Sequence, residues 1–144
     1  MPVRIKVKKI HPDAKIPSYA HPGDAAMDLF SCYEASLHPG ERKAFGTGLQ
    51  VEIPVGYEMQ IRPRSGNAAK HGVTVLNAPG TIDAGYRGEV KVILINHSNL
   101  IYGVRKGDKI AQGKISRIEE VVIEEAETLS DSERGENGLG STGR

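Results

Sequence analysis

Short apolar stretches with a period of two constrain the fold of this chain more than any other feature of its sequence. Residues 3–7, 49–53 and 57–61 each alternate apolar with polar or charged side chains. This alternation is typical of strands that place one face on a core and the other in solvent. Turn sequences with Pro, Gly or Asp punctuate the chain at spacings typical of a sandwich or barrel. They occur at residues 22–24, 39–41, 54–56 and 106–108.

Further strands and one short helix complete this prediction. Residues 90–95 are nearly continuously apolar, which predicts a strand covered on both faces. Val104, Ile110 and Ile115 indicate further short strands. The one helical candidate is 65–71, whose first residue, a serine, is of a type that caps helices. We therefore predict an all-β, distorted jelly-roll-like barrel or sandwich with one short helix.

The size of the chain and its polar tail predict one domain and an arm. With 144 residues and 38% apolar content, the chain can bury a single core but is too short for two. Residues 130–144 are polar and rich in glycine, with little apolar surface to hold them in place. We expect a β-rich domain over residues 1–129 and a flexible C-terminal arm over residues 130–144.

Charge and cysteine content narrow the classes of partner. A formal net charge of +1 provides no broad field for nucleic acid or a membrane surface. Cys32 is the only cysteine, so no intrachain disulfide can form, and a reducing compartment is the simplest setting. No apolar run approaches the roughly 20 residues of a membrane span, and the N-terminus lacks an apolar signal core. We expect a soluble, cytoplasmic protein that binds neither nucleic acid nor membrane.

The segment 75–90 places a turn, a carboxylate and an aromatic ring between two apolar runs. The turn Asn77-Ala78-Pro79-Gly80 predicts a hairpin whose irregular mouth leaves backbone N–H and C=O groups unpaired. Such groups match the donor and acceptor edge of a pyrimidine, and Asp83 and Tyr86 are close enough in sequence to meet an attached sugar. An ordinary hairpin with an exposed Asp83 and a core Tyr86 fits the spacing equally well.

Residues 80–89 resemble the third motif of the trimeric deoxyuridine triphosphate nucleotidohydrolases, the dUTPases. The other four motifs of that family also occur, in the family's order, so the resemblance spans nearly the whole chain. They are Ala25-Ala26-Met27-Asp28-Leu29, Pro63-Arg64-Ser65-Gly66, residues 107–112 and residues 134–143. The resemblance implies Mg²⁺-assisted hydrolysis of dUTP to dUMP and pyrophosphate by water attack at the α-phosphorus. This reaction limits uracil incorporation into DNA and supplies dUMP for dTMP synthesis.

The resemblance also implies roles for residues around the sugar and the base. Asp83 matches the carboxylate that contacts the sugar 3′-hydroxyl and orients or deprotonates the attacking water. Tyr86 matches the ring that lies under the deoxyribose and leaves no room for a 2′-hydroxyl. Asn77 matches the polar residue that reads uracil, with backbone groups near Gly80 and Ile82 adding contacts to the edge of the base.

A second group of residues is implied at the phosphates. Arg64-Ser65-Gly66 offers a cation, a hydroxyl and a flexible backbone N–H around the scissile bond. Gln112 would contact phosphate or the water. Asp28 would assist Mg²⁺ through water, because Mg²⁺ retains several waters and prefers substrate phosphates to an all-protein cage. Asp108 is expected to hold the structure by pairing with Arg64.

The glycine-rich tail resembles the family's fifth motif, which closes over the substrate. Arg134, Gly140, Ser141 and Thr142 would wrap the phosphates through side chains and backbone N–H groups. Leu139 stands where many members carry an aromatic residue that stacks on uracil, which predicts a raised KM with the chemistry retained. Without the resemblance, a tail of this composition would be interpreted as a disordered linker.

The family resemblance further implies a homotrimer whose active sites are shared between subunits. Composition does not show this assembly. The apolar alternation of residues 118–126 agrees with it, since a β-rich stretch there can dock on a neighbouring subunit instead of its own sheet.

Two other functions remain open at the level of sequence. One is a deaminase of the dCTP deaminase branch of the same superfamily, which needs an acid or base positioned at cytosine C4. The other is a non-catalytic nucleotide-binding module on the same fold, since a fold alone does not determine function.

Overall fold

A computed structural model describes the protein over residues 1–144 and contains eleven strands and one helix. The first six strands are β1 (Lys6–Lys9), β2 (Met27–Phe30), β3 (Ala35–Leu37), β4 (Arg42–Gly46), β5 (Leu49–Glu52) and β6 (Tyr57–Arg62). The remaining elements are α1 (Ser65–His71), β7 (Val73–Val75), β8 (Gly80–Ile82), β9 (Lys91–Asn96), β10 (Tyr102–Val104) and β11 (Lys109–Arg117). The all-β prediction with one short helix is confirmed.

The strands form four antiparallel sheets around one apolar core. A four-stranded sheet has the order β2-β11-β6-β8, and a three-stranded sheet has the order β4-β9-β7. Strand β1 pairs with β5, and β3 pairs with β10. A single cluster of 16 buried apolar side chains draws on these sheets, among them Leu29, Val51, Met59, Val92 and Ile110. The jelly-roll-like architecture follows from this layering of antiparallel strands.

Several strands differ in detail from the pattern in the sequence. Strand β1 begins at Lys6, so the alternation that starts at residue 3 contributes only its second half to a sheet. In β9, Val92 and Leu94 are buried while Ile93 and Ile95 are only half-buried. The prediction that this strand is covered on both faces is therefore wrong for the isolated chain. Apolar side chains indicate that a strand face can be buried, but they do not indicate which part of a structure covers it.

Helix α1 spans the predicted residues but begins differently from the prediction. Arg64, with φ −93° and ψ 128°, occupies the N-cap, and no side chain caps the first turn. Ser65 is already helical, so its predicted capping role is wrong, because a cap must keep the extended backbone that precedes the helix. Gly72 ends the helix at φ 64°, and its N–H donates to the carbonyl of Ala68.

The C-terminal part of the chain makes no regular structure on its own subunit. Strand β11 ends at Arg117, and all residues from 118 to 144 are exposed and outside any helix or strand. The β-rich stretch predicted at 118–126 is therefore not a strand of the isolated chain. No helix of the protein has the length and apolar character needed to cross a membrane.

Candidate active site

The four-stranded sheet places four of the five motif segments side by side. Gln112 on β11 lies opposite Asp28 on β2 and opposite Arg62 on β6. One residue further, Ile61 on β6 lies opposite Gly80 on β8. Residues that are more than eighty positions apart in sequence thus share adjacent rows of one sheet, because antiparallel pairing aligns them.

One cleft lies between the second, third and fourth motif segments. It has a volume of about 400 Å³ and is lined by Arg62, Pro63, Ala78, Pro79 and Gln112. The side-chain Nε2 of Gln112 donates to the carbonyl of Pro63 at 3.0 Å, which ties β11 to the end of β6. Helix α1 begins two residues after Pro63. Ser65 and Gly66 follow there, and both are exposed.

Two cations flank Asp28. Lys109 Nζ lies 2.9 Å from Asp28 Oδ2, and Arg64 Nε lies 3.8 Å from Oδ1. The Asp28 side chain is only 13% exposed, and each of its carboxylate oxygens faces one of these cations. Arg64 therefore pairs with Asp28, and the predicted pairing with Asp108 is wrong. Asp108 Oδ2 instead accepts the backbone N–H of Arg105 at 2.8 Å and closes the turn before β11.

The donor groups present do not form a metal cage within one chain. No group of three or more His, Cys, Asp or Glu side chains is close enough together to hold a metal ion. Both carboxylate oxygens of Asp28 face cations, which leaves Asp28 better suited to a hydrated ion than to direct ligation. This donor set fits Mg²⁺ carried by phosphates, with Asp28 contributing through water.

The turn after β8 presents Asp83 and Tyr86. The backbone N–H of Tyr86 donates to the Asp83 carbonyl at 3.1 Å, and Arg87 Nη1 donates to the Ala84 carbonyl at 2.6 Å. Asp83 is exposed, and the Tyr86 side chain is 43% exposed. A core Tyr86, the alternative that spacing alone allowed, is therefore excluded. The ring is held by its hydroxyl, which donates to the carbonyl of Glu89 at 2.9 Å.

Strand β8 lies at the edge of its sheet and pairs only with β6. One side of the backbone from Gly80 to Ile82 therefore has no partner strand. Gly80 is buried, and a Cβ there would lie 3.2 Å from Ile61 Cβ and 3.4 Å from Asn77 Nδ2. The absent side chain allows this close approach. Asn77 is exposed beside it, and the Ala78–Pro79 peptide bond is cis.

The arm is not brought to either group of residues in the single chain. Its hydrogen bonds are local, such as Arg134 Nε to the Asn137 carbonyl at 2.9 Å and Ser141 N–H to the Gly138 carbonyl at 3.0 Å. Leu139, Gly140 and Thr142 are exposed.

Sequence reasoning missed two residues at this site. Lys109 has no role assigned from sequence. Its position within the fourth motif, between Asp108 and Ile110, is the feature that could have indicated a role at the site. Glu89 ends the third motif segment without an assigned role, yet its backbone carbonyl accepts the Tyr86 hydroxyl and its carboxylate accepts the N–H of Gly48 at 3.2 Å. The contact between Glu89 and Gly48 joins residues 41 positions apart, and no local sequence pattern predicts it.

The chain matches one protein family over almost its whole length. Residues 12–143 match the family model described as dUTPase. The deoxyuridine 5′-triphosphate nucleotidohydrolase of Nautilia profundicola is 54% identical over 142 residues, which cover 99% of this chain and 100% of the relative. The enzyme of the same name from Clostridioides difficile is 57% identical over 139 residues, which cover 96% of this chain and 97% of the relative.

Solved structures agree with the sequence match. The dUTPase of Staphylococcus bacteriophage 80alpha, in a structure with dUpNHpp, superposes with a TM-score of 0.91 at 30% identity, covering 98% of this chain and 99% of that one. A mutant dUTPase of S. aureus phage phi11, whose structure reveals how a structural Mg(II) ion is coordinated there, has a TM-score of 0.82 at 25% identity. That match covers 89% of this chain and 99% of the phage chain.

These matches, together with the fold and the motif segments gathered across one sheet, define an all-β nucleotide hydrolase. The chain belongs to the dUTPase family.

Proposed function

We propose that this protein is a dUTP diphosphatase that hydrolyses dUTP to dUMP and pyrophosphate by water attack at the α-phosphorus. Its product would supply dTMP synthesis, and its action would keep uracil out of DNA. The observation that carries this proposal is the family match over residues 12–143, with relatives above 50% identity that are named for this activity. The sheet that aligns the motif segments supports the proposal independently.

Asp83 is the proposed catalytic group. Its exposed carboxylate sits on a turn held by the Tyr86 N–H, so it can reach a sugar 3′-hydroxyl and a water without displacing core structure. A carboxylate in that place orients the water and accepts its proton. Arg64, Ser65, Gly66 and Gln112 would neutralise and position the phosphates around the scissile bond.

The choice of deoxyuridine rests on the edge of β8 and on Tyr86. The unpaired backbone from Gly80 to Ile82, with the Asn77 amide, offers donors and acceptors to the uracil edge. The Tyr86 ring, placed under the sugar, would exclude a 2′-hydroxyl by shape. A site built on such contacts discriminates more sharply than an apolar pocket, because a wrong substrate leaves polar groups unpaired.

A homotrimer with shared sites would bring the separated groups together. The phosphate residues and Asp83 lie at opposite ends of strands β6 and β8, so the complete site needs a second copy of the chain. Cyclic assembly with one site per subunit contact provides that geometry. The exposed apolar residues Val121, Val122 and Ile123 would dock on a neighbour, and the arm 130–144 would close over a site of another subunit. Arg134, Gly140, Ser141 and Thr142 would then contact phosphate, and Leu139 would cover the base.

Mg²⁺ is the proposed cofactor and would enter with the triphosphate. Asp28 would hold it through water, while Lys109 and Arg64 keep that carboxylate in place. When bound, the ion neutralises phosphate charge in the transition state. A cytoplasmic location is proposed as well, in keeping with a single cysteine thiol that is buried and unpaired.

The competing functions are less well supported. The relatives named above are nucleotidohydrolases, which favours phosphate hydrolysis over cytosine deamination. A non-catalytic module would have no use for a carboxylate at Asp83 that can activate water.

The deciding experiment measures pyrophosphate release by the purified protein with Mg²⁺ and dUTP, dTTP, dCTP or UTP, and ammonia release from dCTP. Selective release from dUTP is expected. Ammonia from dCTP would assign the deaminase reaction instead, and nucleotide binding without turnover would assign a binding module.

A further inference from the structure

Glu89 connects the Tyr86 turn to the core through two separate groups. Its backbone carbonyl accepts the Tyr86 hydroxyl at 2.9 Å. Its carboxylate Oε2 accepts the backbone N–H of Gly48 at 3.2 Å, in the connection between β4 and β5. One residue therefore contacts the exposed ring on one side and a buried backbone segment on the other.

Two glycines allow close contacts around Glu89 and the Tyr86 ring. A side chain at Gly46 would collide with the Glu89 carboxylate and the Tyr33 ring. A side chain at Gly88 would collide with the Tyr86 ring, so this ring lies directly on the backbone of the turn. The glycines on both sides are what permit the close contacts.

The backbone segment 46–49, whose Gly48 N–H binds the Glu89 carboxylate, makes several further hydrogen bonds. Both the backbone N–H and the Oγ1 of Thr47 donate to the Val90 carbonyl, at 3.1 and 2.6 Å, and Thr47 is buried. The N–H of Val90 donates to the Leu49 carbonyl at 2.8 Å, and Cys32 Sγ donates to the Gly46 carbonyl at 3.3 Å. Glu89 thus links the turn to a fully hydrogen-bonded part of the core.

We propose that Glu89 is a positioning residue that fixes the Tyr86 ring and thereby determines how strongly the enzyme rejects ribonucleotides. This inference rests on the proposed function, in which Tyr86 lies under the deoxyribose. Exclusion by shape requires a ring that cannot move aside. Tyr86 is 43% exposed, so its hydroxyl bond and the packing on Gly88 provide most of its restraint.

The test compares kcat/KM for dUTP and for UTP in Glu89→Leu and Glu89→Gln. Leu removes the acceptor for the Gly48 N–H at similar size, whereas Gln retains a carbonyl acceptor. We expect Glu89→Leu to lower the dUTP-to-UTP ratio by about three- to tenfold, the effect of one hydrogen bond, through a gain in UTP turnover. Glu89→Gln is expected to restore the wild-type ratio. Glu34→Leu, the same change at an exposed acid between β2 and β3, is the matched control and should leave the ratio unchanged.

A second variant approaches the same link from the ring. Tyr86→Phe keeps the ring and removes its bond to the Glu89 carbonyl, so it should lower the ratio by a similar factor. Combined with Glu89→Leu, the effects should be less than additive, as expected of residues that act through one link. If Glu89→Leu does not fold, Glu89→Ala, which also removes the acceptor for the Gly48 N–H, takes its place in the same comparison.

The outcomes separate this inference from the proposed function. A wild-type protein with no preference for dUTP over UTP would contradict the role of Tyr86 in the proposed function. A selective wild-type protein whose ratio is unchanged in Glu89→Leu or in Tyr86→Phe would overturn the positioning role alone. An equal loss of turnover with both nucleotides in Glu89→Leu would also overturn it, since it would indicate a merely structural role.

Discussion

Asp83 and Arg64 lie beyond opposite ends of one pair of hydrogen-bonded strands. Gly80 on β8 pairs with Ile61 on β6, and the two chains run antiparallel from that point. Asp83 follows Gly80 in one direction, and Arg64 follows Ile61 in the other. Each residue lies just outside its strand, Asp83 in the turn after β8 and Arg64 at the start of α1. In the proposed function both residues act on one α-phosphate, so they would come from different subunits.

Two inactive variants should restore activity when their subunits are mixed. Asp83→Asn removes the carboxylate that activates water, and we expect it to lower kcat by about a hundredfold or more. Arg64→Ala should also be inactive. After joint unfolding and refolding in equal amounts, about a quarter of the sites would combine an intact Asp83 with an intact Arg64 from different subunits. Pyrophosphate release by the mixture measures this, and mixing either variant with itself is the control. A mixture as inactive as its components would contradict shared sites.

Leu139→Phe should lower KM for dUTP. Leu can cover a base but cannot stack on it, and stacking contributes about 1–3 kcal/mol per base. A decrease in KM of about fivefold or more is expected, with little change in kcat. Steady-state kinetics measure it, and Leu129→Phe, at another exposed leucine before the arm, is the matched control. An unchanged KM would show that the arm does not place residue 139 over the base.

Deleting residues 134–144 should lower kcat far more than it lowers thermal stability. The arm's hydrogen bonds are all internal to it, so its removal costs the folded body no contact of its own. A closing arm excludes water from the reacting groups, which is the function that the truncation would remove. Kinetics and a melting curve on the same preparation test this. A decrease in Tm of more than about 4 °C, or about 1 kcal/mol for a chain of this size, would contradict it.

Removing Mg²⁺ with EDTA should lower turnover, and adding Mg²⁺ should restore it. Because no cluster of three ligating side chains exists, calorimetry should find weak binding of Mg²⁺ to the free protein. Binding should strengthen when a non-hydrolysable dUTP analogue is present. Asp28→Asn should raise the Mg²⁺ concentration needed for half-maximal activity. Tight binding of Mg²⁺ to the free protein would show that the ion does not enter with the substrate.

The ion pair between Asp13 and Lys106 should stabilise the protein only at intermediate pH. Lys106 Nζ lies 3.0 Å from Asp13 Oδ2. Its hydrogen bond and charge lower the pKa of Asp13 below 3.8, and the same contact raises the pKa of Lys106 above 10.5. The lowered carboxyl pKa contributes stability above its unfolded value, and this is lost as pH falls. The raised Lys pKa contributes stability below its unfolded value, and this is lost as pH rises.

We therefore expect Asp13→Asn to lower Tm slightly, and by a similar amount, between about pH 5 and 9, with the difference shrinking as the pH falls below the ordinary carboxyl value of 3.8. The effect is small because both side chains are about half exposed. Melting curves across this range measure it, and Asp131→Asn in the exposed tail is the control. A Tm difference that persists at pH 2 would show that the pair does not act through charge.

Local features of the chain were predictable from sequence because their causes are local. The alternation at 49–53 and 57–61 became β5 and β6, since burying one face of a strand requires a period of two. Helix α1 formed over the predicted residues and ended at Gly72, which adopts the left-handed backbone without strain. The turn-forming residues at 77–80 likewise predicted the turn there, and the polar composition of residues 130–144 predicted that they are exposed.

Only the tertiary structure determined which of these segments meet. The register of β11 against β2 and β6 places Gln112 beside Asp28 and Arg62, and it selects Lys109 and Arg64 as the partners of Asp28. The contact between Glu89 and Gly48, and the separation of Asp83 from Arg64, also depend on strand pairing between distant parts of the chain. Such pairings are stabilised by the whole core at once, so no short stretch of sequence contains them.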